Sequence, residues 1–516
     1  MKFCFVFPLL MLALNLQGAD CGVLKSANLP NTTIAGAAPV SGLFTPPVGN
    51  PLPAMPAFCR ITGVIRPTQD SEIHFEVWLP ESGWNQKYLG VGNGGFAGTI
   101  DYNSLGGNVK RGYATAATDT GHQGQAVDAS WAYKHPEKIN DFGWRALHLT
   151  TENAKRLVEA YYGKPAQRAY FDSCSDGGRE ALMEAQRFPN DFDGILAGAP
   201  ANYWTALVAS GTESMQVLRH PDAYISSLKL PAISAAVLAS CDAQDGVKDG
   251  IINDPTRCHF DPASMQCKEG DALTCLTAPQ VTFLKALYAG APASGGKPGF
   301  PGHEPGGELG PGGWASWILG EGPASGSGTA YFENYFRYMV YDDPTWSPFG
   351  ATFDSALHAA DEKTARALNA TDPDLKAFEA HGGKLILYHG WSDPAIPPRN
   401  TINYYNSVQQ KMGGEAAGQF TRLYMVPGMQ HCLGGPGPSA IGQFGIPTSG
   451  KGVFEALEQW VEQGKAPDQI VATKYKGDNP RAGVAMTRPL CPYPQVAKYK
   501  GSGSTDEAQS FTCALQ

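Results

Sequence analysis

The segment Tyr170-Phe-Asp-Ser-Cys-Ser-Asp-Gly-Gly178 sets a serine, Ser175, among small residues where an apolar run gives way to an amphipathic one. A serine hydroxyl becomes a nucleophile only with a base in hydrogen-bond reach and a third group that fixes the tautomer of that base. Both residue types follow later in the chain. His389-Gly-Trp-Ser-Asp393-Pro places an acid in a loop beyond the apolar run 384–388, and Pro427-Gly-Met-Gln-His431-Cys432 places an imidazole beyond the run 421–426. Taken singly, a serine at a helix start is commonly an N-cap, an Asp before Pro starts a turn, and His431 is one of 11 histidines. Taken together, nucleophile then acid then base is the chain order of an α/β-hydrolase. Ser175 is therefore assigned as nucleophile, His431 as base and Asp393 as the residue that orients the base.

The match to a G-x-S-x-G turn is incomplete, because Ser173 stands where the first glycine is expected. That corner demands a small side chain, which Ser meets, and Gly177 keeps the second small position. Attack on an acyl carbon also requires donors for the oxyanion. The N–H of Asp176 is one by the geometry of such a turn, and the loop Gly92-Asn-Gly-Gly-Phe96 offers the other at Gly95. Cys174 directly precedes the nucleophile and Cys432 directly follows the base. A disulfide between them would tie the two loops together beneath the reacting atoms.

These loops need strands to hold them. Residues 72–79 alternate as a half-buried strand does, 87–91 runs into the glycine loop, and 166–171 leads toward Ser175. Gly178 to Phe188 is amphipathic at helical spacing, and 194–197 returns as a buried strand. With the later strands at 384–388 and 421–426, this pattern predicts an α/β fold with a mainly parallel central sheet covered on both faces. Between 203 and 372 the texture changes to four cysteines, an acidic segment at 242–254, a Gly/Pro-rich run at 291–313 and an aromatic-rich segment at 314–346. That stretch reads as a large inserted lid domain, leaving the hydrolase core in two parts, 20–202 and 373–516. Within it Trp314, Trp317, Tyr331, Phe332, Tyr335 and Phe336 could stack on a flat acyl group, the alternative being that they form lid core.

The chain's 516 residues, 42% of them hydrophobic, suffice for such an architecture. Its 61 Gly and 40 Pro show no short repeat, which indicates many loops rather than disorder. A net charge of -9 with no Lys/Arg block leaves no electrostatic footprint for nucleic acid or an anionic membrane. Residues 1–19 have the basic start, apolar run and small-residue end of a secretory signal, too short for a membrane anchor. A lipid-modified Cys21 is the competing reading, and Asp20 speaks against it. Cleavage leaves ten of the 11 Cys, an even number that in an exported protein favours disulfides. The expected location is secreted or periplasmic.

The segments Cys174-Ser175-Asp176-Gly177-Gly178-Arg179, Gln186-Arg-Phe-Pro189, Asp193-Gly-Ile-Leu-Ala-Gly-Ala-Pro200, Gly390-Trp-Ser-Asp393 and Gly428-Met-Gln-His-Cys432 resemble the tannase and feruloyl esterase family, which includes bacterial mono(2-hydroxyethyl) terephthalate hydrolase. The likeness covers most of the mature chain and departs at Ser173, where the family commonly has Gly. It implies an α/β-hydrolase core with an inserted lid, hydrolysis of feruloyl, galloyl or terephthalate-monoester substrates, and no organic cofactor. It also implies a structural Ca2+ in the lid, held by Asp242, Asp245 and Asp249 and by the carbonyls of Val247 and Ile251, oxygen ligands suited to a hard cation. The spacing is not that of an EF-hand, since Asn253 falls where the bidentate Glu belongs; a solvated acidic turn is the alternative. The same likeness pairs Cys21 with Cys59, Cys174 with Cys432, Cys241 with Cys258, Cys267 with Cys275, and Cys491 with Cys513. The expected partner is a small aromatic ester. The alternatives are a broader carboxylesterase, lipase or peptidase on the same fold, or a non-catalytic, calcium-stabilised binding protein, against which the intact Ser, Asp and His argue. Oligomeric state is not legible in the sequence.

Overall fold

The computed structural model describes residues 19–292 and 299–515, so the signal-like segment, apart from Ala19, lies outside the described residues. Nine strands form the main sheet: β1 (Thr32–Phe44), β2 (Leu52–Ile65), β3 (Ile73–Pro80), β4 (Lys87–Val91), β5 (Ala114–Thr118), β6 (Arg168–Cys174), β7 (Gly194–Gly198), β8 (Lys384–Gly390) and β9 (Thr421–Val426). Their order is β1-β2-β3-β5-β4-β6-β7-β8-β9. From β5 to β9 every pairing is parallel, while β1, β2 and β3 add an antiparallel edge. The sheet is thus mainly parallel, but its first two strands escape a sequence reading. β1 carries Gly36, Pro39 and Gly42, and β2 carries Pro53, Pro56 and Gly63, residues that mask alternation and are tolerated near an edge with register shifts.

Side chains of the central strands sort by period two onto the two faces. Tyr88, Phe171, Ile195, Leu385 and Leu387 share a core with helices α1 (Ala146–Tyr162) and α2 (Asp176–Arg187). Within the insertion lie α3 (Ser327–Asn334) and α4 (Phe353–Leu368). After it, α5 (Pro398–Met412) returns to the face covered by α1 and α2, and α6 (Val453–Gln463) covers the opposite face through Leu89, Tyr170, Leu196, Ile386 and Tyr388. The result is a three-layer α/β fold in which β4, β6, β8 and β9 end on the same side of the sheet. In open parallel sheets that side forms the ligand crevice.

Residues 199–383 separate β7 from β8, and the described residues among them contribute no strand to the main sheet. They fold around a core of their own, centred on Ile233, Phe283, Leu284 and Trp314. A second core joins them to the domain of the main sheet, with Phe96 and Phe142 packed against Trp204, Phe332 and Phe336. At the C-terminus, β10 (Ile470–Tyr475) pairs with β11 (Val484–Leu490), and β12 (Val496–Tyr499) pairs with β13 (Phe511–Ala514). Both ribbons lean on the acidic loop of the insertion: Val247 packs with Cys491, Ala497 and Phe511, and Asn253 donates to the Ala497 carbonyl at 3.0 Å.

Among the described residues five disulfides are present, Cys21–Cys59, Cys174–Cys432, Cys241–Cys258, Cys267–Cys275 and Cys491–Cys513. The last spans 22 residues and staples the two ribbons together. Chain-entropy reasoning assigns such a loop about 3 kcal/mol. Replacing Cys491 and Cys513 by Ala should lower the melting temperature by several degrees and leave the initial hydrolysis rate at low temperature unchanged, as calorimetry and a rate assay would show.

Candidate active site

Strand β6 ends at Cys174 and α2 begins at Asp176, so Ser175 alone makes the turn. Its backbone sits at φ 67° and ψ -123°, a region that side-chain-bearing residues rarely occupy and that projects the hydroxyl above the sheet. The strain is held by hydrogen bonds: the Ser175 N–H donates to the Gly198 carbonyl at 3.0 Å, and the Ser175 carbonyl accepts from Arg179 and Ala201, both at 3.1 Å. Close packing dictates the neighbours. A Cβ on Gly178 would lie 2.2 Å from the Gly198 carbonyl oxygen, and one on Gly177 only 1.9 Å from the Ser173 hydroxyl. Ser173 in place of glycine is accommodated because Gly177 and Gly92 both face it; a Cβ on Gly92 would also meet its hydroxyl, at 2.6 Å.

The Ser175 hydroxyl donates to His431 Nε2 at 2.8 Å, and His431 Nδ1 donates to Asp393 Oδ2 at 2.8 Å. Asp393 is 2% exposed, and four donors converge on it. Its Oδ1 accepts from the N–H groups of Ala395 at 2.8 Å and Ile396 at 3.0 Å, and its Oδ2 accepts a second imidazole, His389 Nε2, at 3.1 Å. Burial alone would raise this carboxyl, but the facing His431 and the hydrogen bonds from both histidines hold it far below the usual carboxylate range. It is therefore the charged member of the array. His389, fully buried at the end of β8, is fixed in turn by the Thr401 hydroxyl, which donates to its Nδ1 at 2.7 Å. Sequence reading gave His389 no role; its one signal is the position four residues before Asp393.

The loop that carries His431 is fastened to β6 twice. Cys432 is disulfide-bonded to Cys174, and Asp172 Oδ2 accepts from the Phe444 N–H at 2.8 Å. Gln443 joins these anchors by donating to the carbonyls of Cys432 at 3.2 Å and Ser439 at 3.0 Å. Burial pushes the Asp172 carboxyl up to about 6, against the opposing pull of Arg111 and the Phe444 N–H. On the other side, the fully buried Arg179 clamps the start of α2 to the 142–143 turn, binding Asp176 Oδ1 at 2.6 Å and the Gly143 carbonyl at 2.6 Å.

The glycine loop is not slack. The Asn93 N–H donates to Glu180 Oε2 at 2.8 Å, the Asn93 carbonyl accepts from Gly177 at 2.8 Å, and the Phe96 N–H donates to the Ala126 carbonyl at 2.7 Å. Gly95, at φ 60°, is left with its N–H free of an acceptor among the described residues, as is the N–H of Asp176. Both residues and Ser175 line one cavity of about 220 Å³. Its far walls come from the insertion through Leu207, Met215, Ile318 and Phe332, with Trp317 and Tyr331 nearer the serine. The Trp317 ring stands edge-on to His431 at 5.3 Å. Of the six aromatics expected to stack on an acyl group, only Trp317, Tyr331 and Phe332 reach the cavity. Trp314, Tyr335 and Phe336 are instead buried in the cores that the insertion forms and shares.

The acidic loop lies elsewhere, against the C-terminal ribbons. Asp242 accepts from the N–H groups of Asp249 and Gly250, Asp245 from Val247, and Asp249 from Ile251, while Asp249 Oδ2 also pairs with Arg488 at 2.5 Å. Arg488 thus pairs with Asp249 and acts on Asp245 as well, while burial together with the like charges of the three carboxylates pushes Asp245 and Asp249 upward. An all-oxygen donor set with surplus negative charge fits a hard divalent cation. The carboxylates are not drawn into mutual contact: among the described residues the one group of three with ligand atoms within 4.8 Å of each other is His148, Glu184 and Asp191. Arg488, remote in sequence, was not legible as part of this loop.

Comparison with known proteins gives a consistent picture. A family model described as tannase and feruloyl esterase matches residues 59–514. An uncharacterised esterase of Xanthomonas campestris pv. campestris is 46% identical over 525 residues, covering 96% of this chain and 91% of its own. A probable feruloyl esterase B-2 of Aspergillus flavus is 34% identical over 448 residues, covering 84% and 83%. The crystal structure of feruloyl esterase B from Aspergillus oryzae superposes with a TM-score of 0.88 at 30% identity, covering 96% of this chain and 99% of that one.

The Ser173 hydroxyl and Gly177 compete for one space, which makes the turn testable. Gly177→Ala should reduce turnover of an activated ester by about a hundredfold, the scale of a misplacement near 1 Å, and adding Ser173→Gly should restore part of it. A Gly177→Ala variant with the wild-type rate would show that the turn does not depend on this contact.

Proposed function

This chain belongs to the tannase and feruloyl esterase family and is a carboxylic ester hydrolase, and from that premise we propose that it cleaves esters of aromatic acids through an acyl-enzyme on Ser175. The observation that carries the reading is the hydrogen-bonded run Ser175–His431–Asp393 opening into a cavity with aromatic walls. His431 Nε2 takes the hydroxyl proton as Ser175 Oγ bonds to the acyl carbon and the carbonyl electron pair moves onto oxygen. The N–H groups of Gly95 and Asp176 receive that oxyanion. Collapse expels the alcohol, which leaves with the proton from His431. Water, deprotonated by His431, then releases the acid by the same steps in reverse order. Asp393 stays ionised throughout and stabilises the imidazolium.

The chemistry of the cavity supports a flat, uncharged acyl group. Trp317 and Phe332 offer faces for stacking, and among the described lining residues none is Lys or Arg. A buried second carboxylate on the acid would lack a cationic partner among those described residues. His303 lines the same cavity, and burial lowers its imidazole, so that it stays neutral as a partner for a phenolic hydroxyl. Feruloyl-type substrates are thus preferred over terephthalate monoesters. Five disulfides support an exported protein, secreted or periplasmic, and among the described residues no helix is long and apolar enough to cross a membrane.

In the acidic loop, Asp242, Asp245 and Asp249 with the carbonyls of Val247 and Ile251 would hold Ca2+, whose bound charge would offset the three carboxylates. Its role is structural.

Two experiments test these assignments. With methyl esters compared at one leaving group, kcat/KM for methyl ferulate should exceed that for methyl butyrate by at least about tenfold and that for monomethyl terephthalate as well, and a peptide amide should not be cleaved; a preference for butyrate would move the protein to the broad carboxylesterases. Removing calcium with a chelator should lower the melting temperature, since a ligand held at a hundred times its Kd adds about 2.7 kcal/mol, and leave the initial rate at low temperature nearly unchanged. Immediate, reversible loss of activity with no change in melting would contradict a structural role.

A further inference from the structure

Tyr331 reaches the reaction centre from the insertion rather than from the sheet. Its ring is fixed on two sides, stacked on Trp317 at 5.9 Å and 12° and edge-on to Phe96 at 5.2 Å and 68°. These contacts aim the phenol at the glycine loop: a Cβ built on Gly95 would lie 2.5 Å from the Tyr331 hydroxyl oxygen, which places that oxygen within about 4 Å of the Gly95 backbone. Phenols that pack in a protein usually find an acceptor, as Tyr335 does in Thr364 at 2.6 Å. The Tyr331 hydroxyl has none among the described residues, and it lines the cavity together with Gly95, Ser175 and Asp176.

Resting on the esterase reading above, we propose that the Tyr331 hydroxyl is a third donor to the oxyanion, supplied by the insertion beside the N–H groups of Gly95 and Asp176. The step adds no proton transfer. As Ser175 Oγ bonds to the acyl carbon, the carbonyl electron pair moves to oxygen, the serine proton goes to His431, and Tyr331 keeps its own proton while donating a hydrogen bond. Burial first, and then the charge of Asp176, push this phenol up to about 12, so at neutral pH it is a donor and not a phenolate. A donor aimed at the developing charge is worth more in the transition state than in the ground state. The position also explains the glycine, since any side chain at residue 95 would displace the hydroxyl.

Tyr331→Phe keeps the ring and removes the donor. Loss of one oxyanion donor costs about 10²–10³ in kcat, so the variant should lose about a hundredfold in kcat with methyl ferulate while KM changes less than about threefold. Both acylation and deacylation should slow in a burst assay with a p-nitrophenyl ester, and a boronic acid that forms a tetrahedral adduct on Ser175 should bind more weakly, while ferulate itself binds as before. A rate within twofold of wild type, or a rise confined to KM, would overturn the proposal and leave Tyr331 as a wall. Slower acylation with unchanged deacylation would also overturn it, assigning the hydroxyl to the leaving alcohol. Ser175→Ala run in parallel separates this from the esterase reading: if that variant stays active, the reading of the site fails, and if it is dead, the Tyr331→Phe result speaks to Tyr331 alone.

Discussion

A 2.8 Å hydrogen bond between residues 256 positions apart in the chain, Ser175 and His431, sets the terms for the rest of the molecule. Productive geometry tolerates errors well under 1 Å, and two loops of a Gly-rich chain would not keep such a distance unaided. The parallel sheet supplies the first constraint by ending β6, β8 and β9 on one side. Local anchors supply the second. The Cys174–Cys432 bond, the Asp172 carboxylate on the Phe444 N–H and the Gln443 amide on the Cys432 carbonyl fix the histidine loop relative to the serine turn. Arg179 and Glu180 do the same for the turn and the glycine loop from the other side. Nearly every unusual feature near the strand ends, including the positive φ of Ser175 and Cys432 and the glycines without room for a Cβ, follows from holding that one contact.

The insertion answers a different need. An oxyanion is stabilised most where water is excluded and donors are already aimed, so apolar walls around the cavity increase the worth of each hydrogen bond to the developing charge. Phe96 and Phe142 of the hydrolase core pack into the insertion, which makes it a fixed wall of the site. The acidic loop and the C-terminal ribbons brace the insertion's outer part through Arg488 and Asn253, and the ribbon residue Lys474 also holds the histidine loop at the Gly435 carbonyl.

Much of the candidate site was legible because its residues lie in loops that follow apolar runs. Ser175, Asp393 and His431 each sit just past a buried strand, in the chain order that one fold prescribes, and the structure brings the three into a continuous hydrogen-bonded array. Cys174 and Cys432 could be paired on paper because each adjoins a reacting residue. What stayed hidden depends on distance in space. His389 is a strand residue like any other until the fold turns its ring onto Asp393. Tyr331 and Tyr335 belong to one aromatic run, and only packing shows that the first faces the cavity and the second the core. Arg488 meets Asp249 across 239 residues, and β1 and β2 carry prolines that conceal their pairing.

The central claim is that Ser175 is the nucleophile and His431 its base, and the direct measurement is covalent labelling by a fluorophosphonate followed by peptide mapping. A single adduct on Ser175 is expected, formed in step with the loss of ester hydrolysis and nearly absent from a His431→Ala variant. An adduct on any other residue accompanying that loss, or full activity in protein labelled at Ser175, would contradict the account.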